Sequence, residues 1–210
     1  MPLVILLAIE TLILYLLARR TTSKIFNLIF RLTKKHKLTT CLFALLFLPG
    51  TFVHEMSHFL FALFLLVPVG QIELMPEFQE NGIKMGSVPI GKTDLVRRSL
   101  IGVAPIILGL AIILGSIFFI YQHLMLNSIL ALVIIGYLSF EVGNTMFSSK
   151  KDLEGIIPFL VILALFTVVL YLLGVRINLE INSQIFKLAD LFLLVPIAID
   201  CLVLLLKNPF

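Results

Sequence analysis

The sequence predicts an all-α polytopic membrane protein with about six transmembrane helices and one small β-hairpin. Hydrophobic residues make up 60% of the 210 residues, and the mean hydropathy is +1.13. A soluble domain of this length does not carry so large an apolar fraction. Apolar runs of bilayer length recur along the chain, and no polar stretch is long enough for a separate soluble domain. We therefore expect one multi-pass transmembrane domain over residues 1–210, with its core at 39–173.

The first apolar run covers Pro2 to Ala18. It predicts a retained helix and not a signal peptide, because it has no basic start and carries Glu10 in its middle. The next segment, 19–37, contains seven Lys and Arg residues. It is typical of a membrane surface, as an interfacial helix or as a solvated loop, and no nucleic-acid-binding motif accompanies it. Cys41 and Cys201 stand far apart, which indicates no disulfide framework.

The second run, Thr39 to Val67, contains the sequence His54-Glu55-Met-Ser-His58. Residues four apart share one face of a helix, so both imidazoles can bind one metal ion. Glu55 is adjacent and can act on a water molecule held by that ion, which is the arrangement of a zinc hydrolase. The alternative is polar packing without function, but ionisable residues are costly inside a membrane span and usually functional. Pro49-Gly50 predicts a kink one turn before His54.

A hairpin is expected in the polar segment at about 69–94, directly after the motif helix. Asn81-Gly82 is a strong turn signal between residues 77–80 and 83–86, and residues 71–75 alternate as a strand does. An edge strand beside a metal site can pair with an extended peptide. An ordinary interfacial loop explains the composition equally well.

Four further apolar runs complete the six predicted spans. They are Arg97 to Tyr121, Leu126 to Asn144, Ile156 to Leu173 and Ile185 to Leu206. The last run contains Asp190 and Asp200, to which the spacing assigns no chemistry.

A catalytic zinc site needs three protein ligands. His36 and His123 have no motif around them, so the polar break between the fourth and fifth spans is the better source of the third ligand. That break contains Asp152. The alternative role for a carboxylate at a helix start is an N-cap, which would be preferred without the His-Glu-x-x-His helix.

This pattern resembles the site-2 protease family of intramembrane zinc metalloproteases. That family pairs His-Glu-x-x-His with a later Asn-x-x-Pro-x-Pro-x-Leu-Asp-Gly segment, and Asn144 and Asp152 have the same separation of eight. The resemblance implies that Asp152 is the third ligand and that Asn144 holds substrate backbone. Gly102-Val-Ala-Pro105 looks like the small-residue and proline segment of the family's next core helix, and the 69–94 hairpin falls where the family engages substrate.

The chain also departs from that pattern. Phe147 and Ser149 stand where the family has prolines. Leu153-Glu154-Gly155 looks like Leu-Asp-Gly with Glu substituted, so Glu154 is a rival third ligand, although the asparagine spacing favours Asp152. A PDZ-like domain is not evident.

The resemblance implies a zinc-dependent protease that cleaves membrane proteins or peptides within the lipid bilayer, with Glu55 as general base. Two alternatives stay open: a metal-binding transporter or sensor, and an inactive relative that binds partner proteins. Substrate identity, membrane orientation and oligomeric state are open.

Overall fold

The computed structural model describes residues 2–79, 82–84, 86–122, 128–147, 152, 154–174 and 183–206. The predicted all-α class is confirmed, because helices dominate this part of the chain. They are α1 (Pro2–Thr33), α2 (His36–Leu46), α3 (Leu48–Phe64), α4 (Leu95–Gln122), α5 (Ile129–Thr145), α6 (Ile156–Leu172) and α7 (Ser183–Leu205).

Two short strands lie between α3 and α4. β1 (Glu77–Gln79) pairs with β2 (Gly82–Lys84) in antiparallel register. Isolated bridges between Val69 and Ile90 and between Glu73 and Ser87 continue the pairing towards the helices. Asn81, the first residue of the predicted turn, lies outside the described residues. The chain thus leaves α3 and returns to α4 as two extended, paired segments.

The first helix is longer than the sequence predicted. α1 continues without interruption through the basic segment to Thr33 and has 32 residues. The predicted end at Ala18 is therefore wrong. Residues 19–33 contain no glycine or proline, so nothing in the backbone stops the helix there. It ends where Lys34 adopts a φ of 52°.

The motif run is divided into two helices at Phe47, where the axis bends by 69°. The kink was predicted at Pro49-Gly50, two residues after the observed bend. Pro49 occupies the first turn of α3, where its missing N–H removes no helical hydrogen bond. The phenol of Tyr137 in α5 donates a hydrogen bond to the carbonyl of Leu46 at 2.8 Å. One of the free carbonyls at the end of α2 is satisfied in this way.

Close contact between α3 and α5 depends on Gly50. A Cβ atom at this position would lie 2.6 Å from both the carbonyl oxygen of Glu141 and Oγ1 of Thr145. Three residues further along α3, Val53 packs against Ile113 of α4 and Val142 of α5. Helix α3, which carries the His-Glu-x-x-His sequence, therefore packs between α4 and α5.

Helix α4 begins with a side-chain cap. Oδ1 of Asp94 accepts a hydrogen bond from the backbone N–H of Arg97 at 3.0 Å. This hydrogen bond lowers the pKa of the exposed Asp94 carboxyl, since it favours the charged form. The cap is complete above the ordinary pKa of aspartate and weakens as the pH falls through the lowered value.

Helices α1 and α7 run parallel to each other. Glu10 of α1 lies near Asp190 of α7, and further along both helices Nζ of Lys24 donates to the carbonyls of Leu204 at 2.8 Å and Leu206 at 2.6 Å. Six alternating spans would make the first and last helices antiparallel. The predicted count of six crossings is therefore not supported by the directions of these two helices.

Among the described helices, α4 is long and apolar enough to cross a membrane, over the 22 residues Leu95–Ser116. The bent pair α2–α3 also qualifies when it is taken as one span. Shorter apolar helical stretches of 10–17 residues lie in α5, α6 and α7, at Ile129–Thr145, Ile156–Leu172 and Leu193–Leu205.

Candidate metal centre

Helix α3 presents the three motif residues in a buried position. His54, Glu55 and His58 are all buried. His54 and His58 lie one turn apart on one face, and their rings meet edge to face with centroids 4.8 Å apart. Their Nε2 atoms are 3.2 Å from each other. Both imidazoles thus direct the same ring nitrogen towards one point.

Asp152 completes a three-atom cluster at this point. Its Oδ2 atom lies 3.2 Å from Nε2 of His54 and 3.3 Å from Nε2 of His58. A tetrahedral metal with ligand distances of about 2.0–2.1 Å requires ligand atoms about 3.3–3.4 Å apart. The three atoms therefore have the separations of three corners of such a tetrahedron, and the residues fit a metal ion.

The environment of the Asp152 oxygen supports the same fit. Oδ2 is buried and receives no aligned hydrogen bond from the described residues, although two ring nitrogens are close to it. A buried carboxylate oxygen without an aligned donor is costly unless another partner satisfies it. A cation between the three ligand atoms would supply that partner. The rival ligand Glu154 is exposed, and the cluster contains Asp152 in its place.

The orientation of His58 is fixed from α4. Its Nδ1 atom lies 2.9 Å from the backbone carbonyl of Ile101, and a carbonyl only accepts, so Nδ1 carries the proton. Nε2 then keeps its lone pair for the metal. In a regular helix this carbonyl would accept from the amide of residue 105. Residue 105 is Pro105, which has no N–H, so the carbonyl of Ile101 is available to His58.

Asp152 is held against α4 through a glycine. A Cβ atom on Gly102 would lie 3.3 Å from the carbonyl oxygen of Asp152 and 3.7 Å from its Cα. Any larger residue at 102 would push this segment away from α4. Because Ile101 and Gly102 are neighbours, one turn of α4 contacts both His58 and Asp152.

The carboxylate of Glu55 faces the extended segment that follows β2. A Cβ atom on Gly86 would lie 3.2 Å from Oε1 of Glu55 and 3.0 Å from Cγ2 of Thr51. The backbone at Gly86 therefore covers the side of α3 that carries Glu55. The next residue, Ser87, exchanges backbone hydrogen bonds with Glu73 at 2.8 and 2.9 Å.

Asn144 contacts a different helix from the ones that form the cluster. Its amide nitrogen donates to the carbonyl of Phe140 at 2.9 Å and to Oδ1 of Asp200 in α7 at 2.9 Å. The structure thus gives Asp200, to which the sequence assigned no chemistry, a hydrogen bond that joins α5 to α7. His36 packs on the rings of Phe26 and Phe30. His123 lies outside the described residues.

Sequence reasoning missed the roles of Ile101, Pro105 and Gly86. From the sequence, Pro105 was interpreted only as part of a small-residue segment. Its position four residues after Ile101 becomes informative only when the structure shows His58 beside the Ile101 carbonyl. No protein-family model, curated protein or solved structure matches this chain. The site is therefore defined by its own geometry: three convergent ligand atoms, one oriented imidazole and an adjacent buried carboxylate.

Proposed function

We propose that this chain is an intramembrane zinc metalloprotease that hydrolyses peptide bonds of membrane-embedded substrates. One observation carries the proposal. Nε2 of His54, Nε2 of His58 and Oδ2 of Asp152 lie 3.2–3.3 Å apart, and Glu55 is buried beside them on the same helix. This is the donor set of a catalytic zinc site with a general base next to it.

The membrane location is supported by the composition, by the apolar length of α4 and by exposed apolar side chains. The chain is 60% hydrophobic, and many large apolar side chains are exposed, among them Leu132, Val133, Leu165 and Phe166. Lipid accommodates such a surface, whereas water does not.

Since α1 and α7 are parallel, a multi-pass arrangement in which both cross the bilayer has an odd number of crossings.

The proposed chemistry is hydrolysis by an activated water molecule. A zinc ion held by His54, His58 and Asp152 would lower the pKa of a bound water towards ~7 and polarise the scissile carbonyl. Glu55 takes a proton from the water, whose oxygen bonds to the carbonyl carbon. The C–N bond then breaks, and Glu55 delivers the proton to the leaving amine. The Ile101 carbonyl keeps His58 in the required tautomer.

Substrate presentation falls to the paired segments between α3 and α4. A transmembrane helix must unwind before its peptide bonds become accessible, because its own hydrogen bonds shield them. An extended segment that passes Glu55 at Gly86 suits such an unwound strand, which it can bind by strand addition. The side-chain NH2 group of Asn144 already donates hydrogen bonds to Phe140 and Asp200. A role in holding substrate backbone would therefore fall to the side-chain oxygen Oδ1.

The decisive experiment compares Glu55→Gln with Glu154→Gln in proteoliposomes. Single-span peptides with helix-breaking residues are offered as substrates, and cleavage is followed by mass spectrometry beside zinc content. We expect Glu55→Gln to abolish cleavage with zinc retained, and the exposed Glu154→Gln to leave both unchanged. Cleavage by Glu55→Gln at the wild-type rate would refute the proposal.

A metal transporter or sensor is the second candidate. Four acidic side chains are buried among α1, α5 and α7, namely Glu10, Glu141, Asp190 and Asp200, and buried acids in a membrane often line ion paths. The compact metal cluster with its adjacent Glu55 favours hydrolysis. Zinc flux into vesicles that survives Glu55→Gln, without proteolysis in wild type, would favour transport.

A further inference from the structure

An open groove of about 700 Å³ lies along the second half of α1. It is lined by the cations Arg19, Arg20, Lys24 and Arg31, by the polar side chains Ser23 and Asn27, and by the aromatic ring of Phe30. We call this the basic groove. It extends for about 18 Å along the helix at 1.5 Å per residue. Its volume lies in the range of ordinary ligand pockets, about 300–1,000 Å³.

The basic groove lies in a stretch of the sequence that contains no acidic residue. The sequence from Thr11 to His54 contains seven Lys and Arg residues and no Asp or Glu. Within the described ranges, Arg19, Arg20 and Lys24 form no ion pair with a carboxylate. The guanidinium of Arg19 contacts the neutral ring and hydroxyl of Tyr15. Concentrated positive charge of this kind attracts anions, and phosphate oxygens suit arginine donors especially well.

The groove lies where two apolar helices end. The apolar part of α1 stops at Arg19, and Lys24 donates to the carbonyls of Leu204 and Leu206 at the end of α7. In a bilayer, both features place the groove at the level of the lipid headgroups. Clusters of Lys and Arg on a helix at this level are typical sites for anionic headgroups.

An apolar stripe continues from the groove towards the membrane interior. Leu12 and Leu16 precede Arg20 at intervals of four residues, so all three lie on one face of α1. Leu12 is 57% exposed and Leu16 is 54% exposed. The face therefore offers apolar contact over two turns and then positive charge over three. A molecule with acyl chains and a phosphate matches that order, whereas a soluble phosphate uses only the second part.

We propose that the basic groove binds the phosphodiester headgroup of an anionic phospholipid, with its acyl chains along Leu12 and Leu16. This site is separate from the metal centre, and the inference depends on membrane residence but not on proteolysis. Since Lys and Arg are enriched on the cytoplasmic side, the lipid belongs to the cytoplasmic leaflet. The groove then anchors α1, and through Lys24 also α7, at that surface.

The test is a titration of the full chain, purified in a non-ionic detergent, by native mass spectrometry. The probes are phosphatidylglycerol, phosphatidylcholine with the same acyl chains, and glycerophosphoglycerol, the deacylated headgroup. The variant Arg19→Gln/Arg20→Gln is compared with Lys35→Gln/Lys37→Gln, which removes the same charge outside the groove. Arg20→Gln against Lys35→Gln is the milder pair, which remains informative if the double variant does not fold.

We expect one saturable phosphatidylglycerol per chain and no saturable phosphatidylcholine. Two lost surface cations correspond to roughly a 30-fold rise in Kd for the groove variant, against less than threefold for its control. Equal losses in both variants would show diffuse attraction and overturn the proposal. Glycerophosphoglycerol bound as tightly as the intact lipid would assign the groove to a soluble phosphodiester and overturn the lipid assignment.

Discussion

His58 donates a hydrogen bond from Nδ1 to the backbone carbonyl of Ile101, and the two atoms are 2.9 Å apart. The acceptor belongs to a helix interior, where carbonyls are normally occupied by the amide four residues later. Pro105 removes that amide. A single proline in α4 thus leaves a backbone carbonyl available to His58 of the candidate metal centre without ending the helix.

Replacing Pro105 with alanine should weaken metal binding while stabilising the helix. The new amide competes with His58 for the Ile101 carbonyl, and loss of an outer-shell partner raises the zinc Kd by about 10-fold or more. Alanine is also the better helix former, and this gain offsets the packing lost with the fully buried proline ring, so we expect a small change in melting temperature. Chelator competition and thermal unfolding measure the two effects.

Pro196→Ala in α7 is the matched control for this prediction. Pro196 also lies inside a helix, but the N–H that alanine introduces there is not near His54, His58 and Asp152. Its zinc Kd should equal that of wild type. Identical zinc affinity in Pro105→Ala and wild type would show that the Ile101 carbonyl does not orient His58.

Gly102→Val should displace Asp152 from the cluster. A Cβ atom at this position already meets the Asp152 carbonyl at 3.3 Å, and the valine methyl groups need more space still. Gly115→Val is made in the same helix at a position where a Cβ atom meets nothing within 4 Å. We expect zinc to be lost from the first variant and kept in the second, as measured by metal analysis of purified protein.

The variants Asp152→Ala and Glu154→Ala distinguish between the two candidates for the third metal ligand. Among the described residues, the Asp152 carboxylate is the one that approaches both imidazoles, at 3.2 and 3.3 Å, so its removal should abolish stoichiometric zinc. Glu154→Ala should retain about one zinc per chain. Loss of zinc in the Glu154 variant alone would exchange the roles of the two acids.

The sequence alone predicted the helix positions well and the relations between helices poorly. The spans expected at 97–121, 126–144 and 156–173 match α4, α5 and α6 within a few residues, because uninterrupted apolar runs determine local structure. The placement of His54 and His58 on one face of a helix was likewise predictable from local spacing. The parallel packing of α1 on α7 and the contact of His58 with Ile101 join distant parts of the chain, for which a single sequence carries no periodic signal.

Gly50→Ala should destabilise the protein by separating α3 from α5. The added methyl group would lie 2.6 Å from two oxygen atoms of α5, so the helices must move, at a typical cost of about 1–3 kcal/mol. Gly136→Ala in α5 adds the same group where nothing lies within 4 Å. That control should be neutral or gain about 0.5–1 kcal/mol. Denaturant unfolding in detergent compares them, and equal stability of the two variants would contradict the close packing at Gly50.

The contact between Lys24 and Leu204 has a consequence for how the protein is made. Its partners are separated by 180 residues, and ribosomes add about 5–20 residues per second. Helix α1 is therefore synthesised roughly 10–40 s before the helix that satisfies Lys24 exists. During that interval the ammonium group of Lys24 lacks its partners in α7, and the packing of α1 on α7 forms only after α7 has been synthesised.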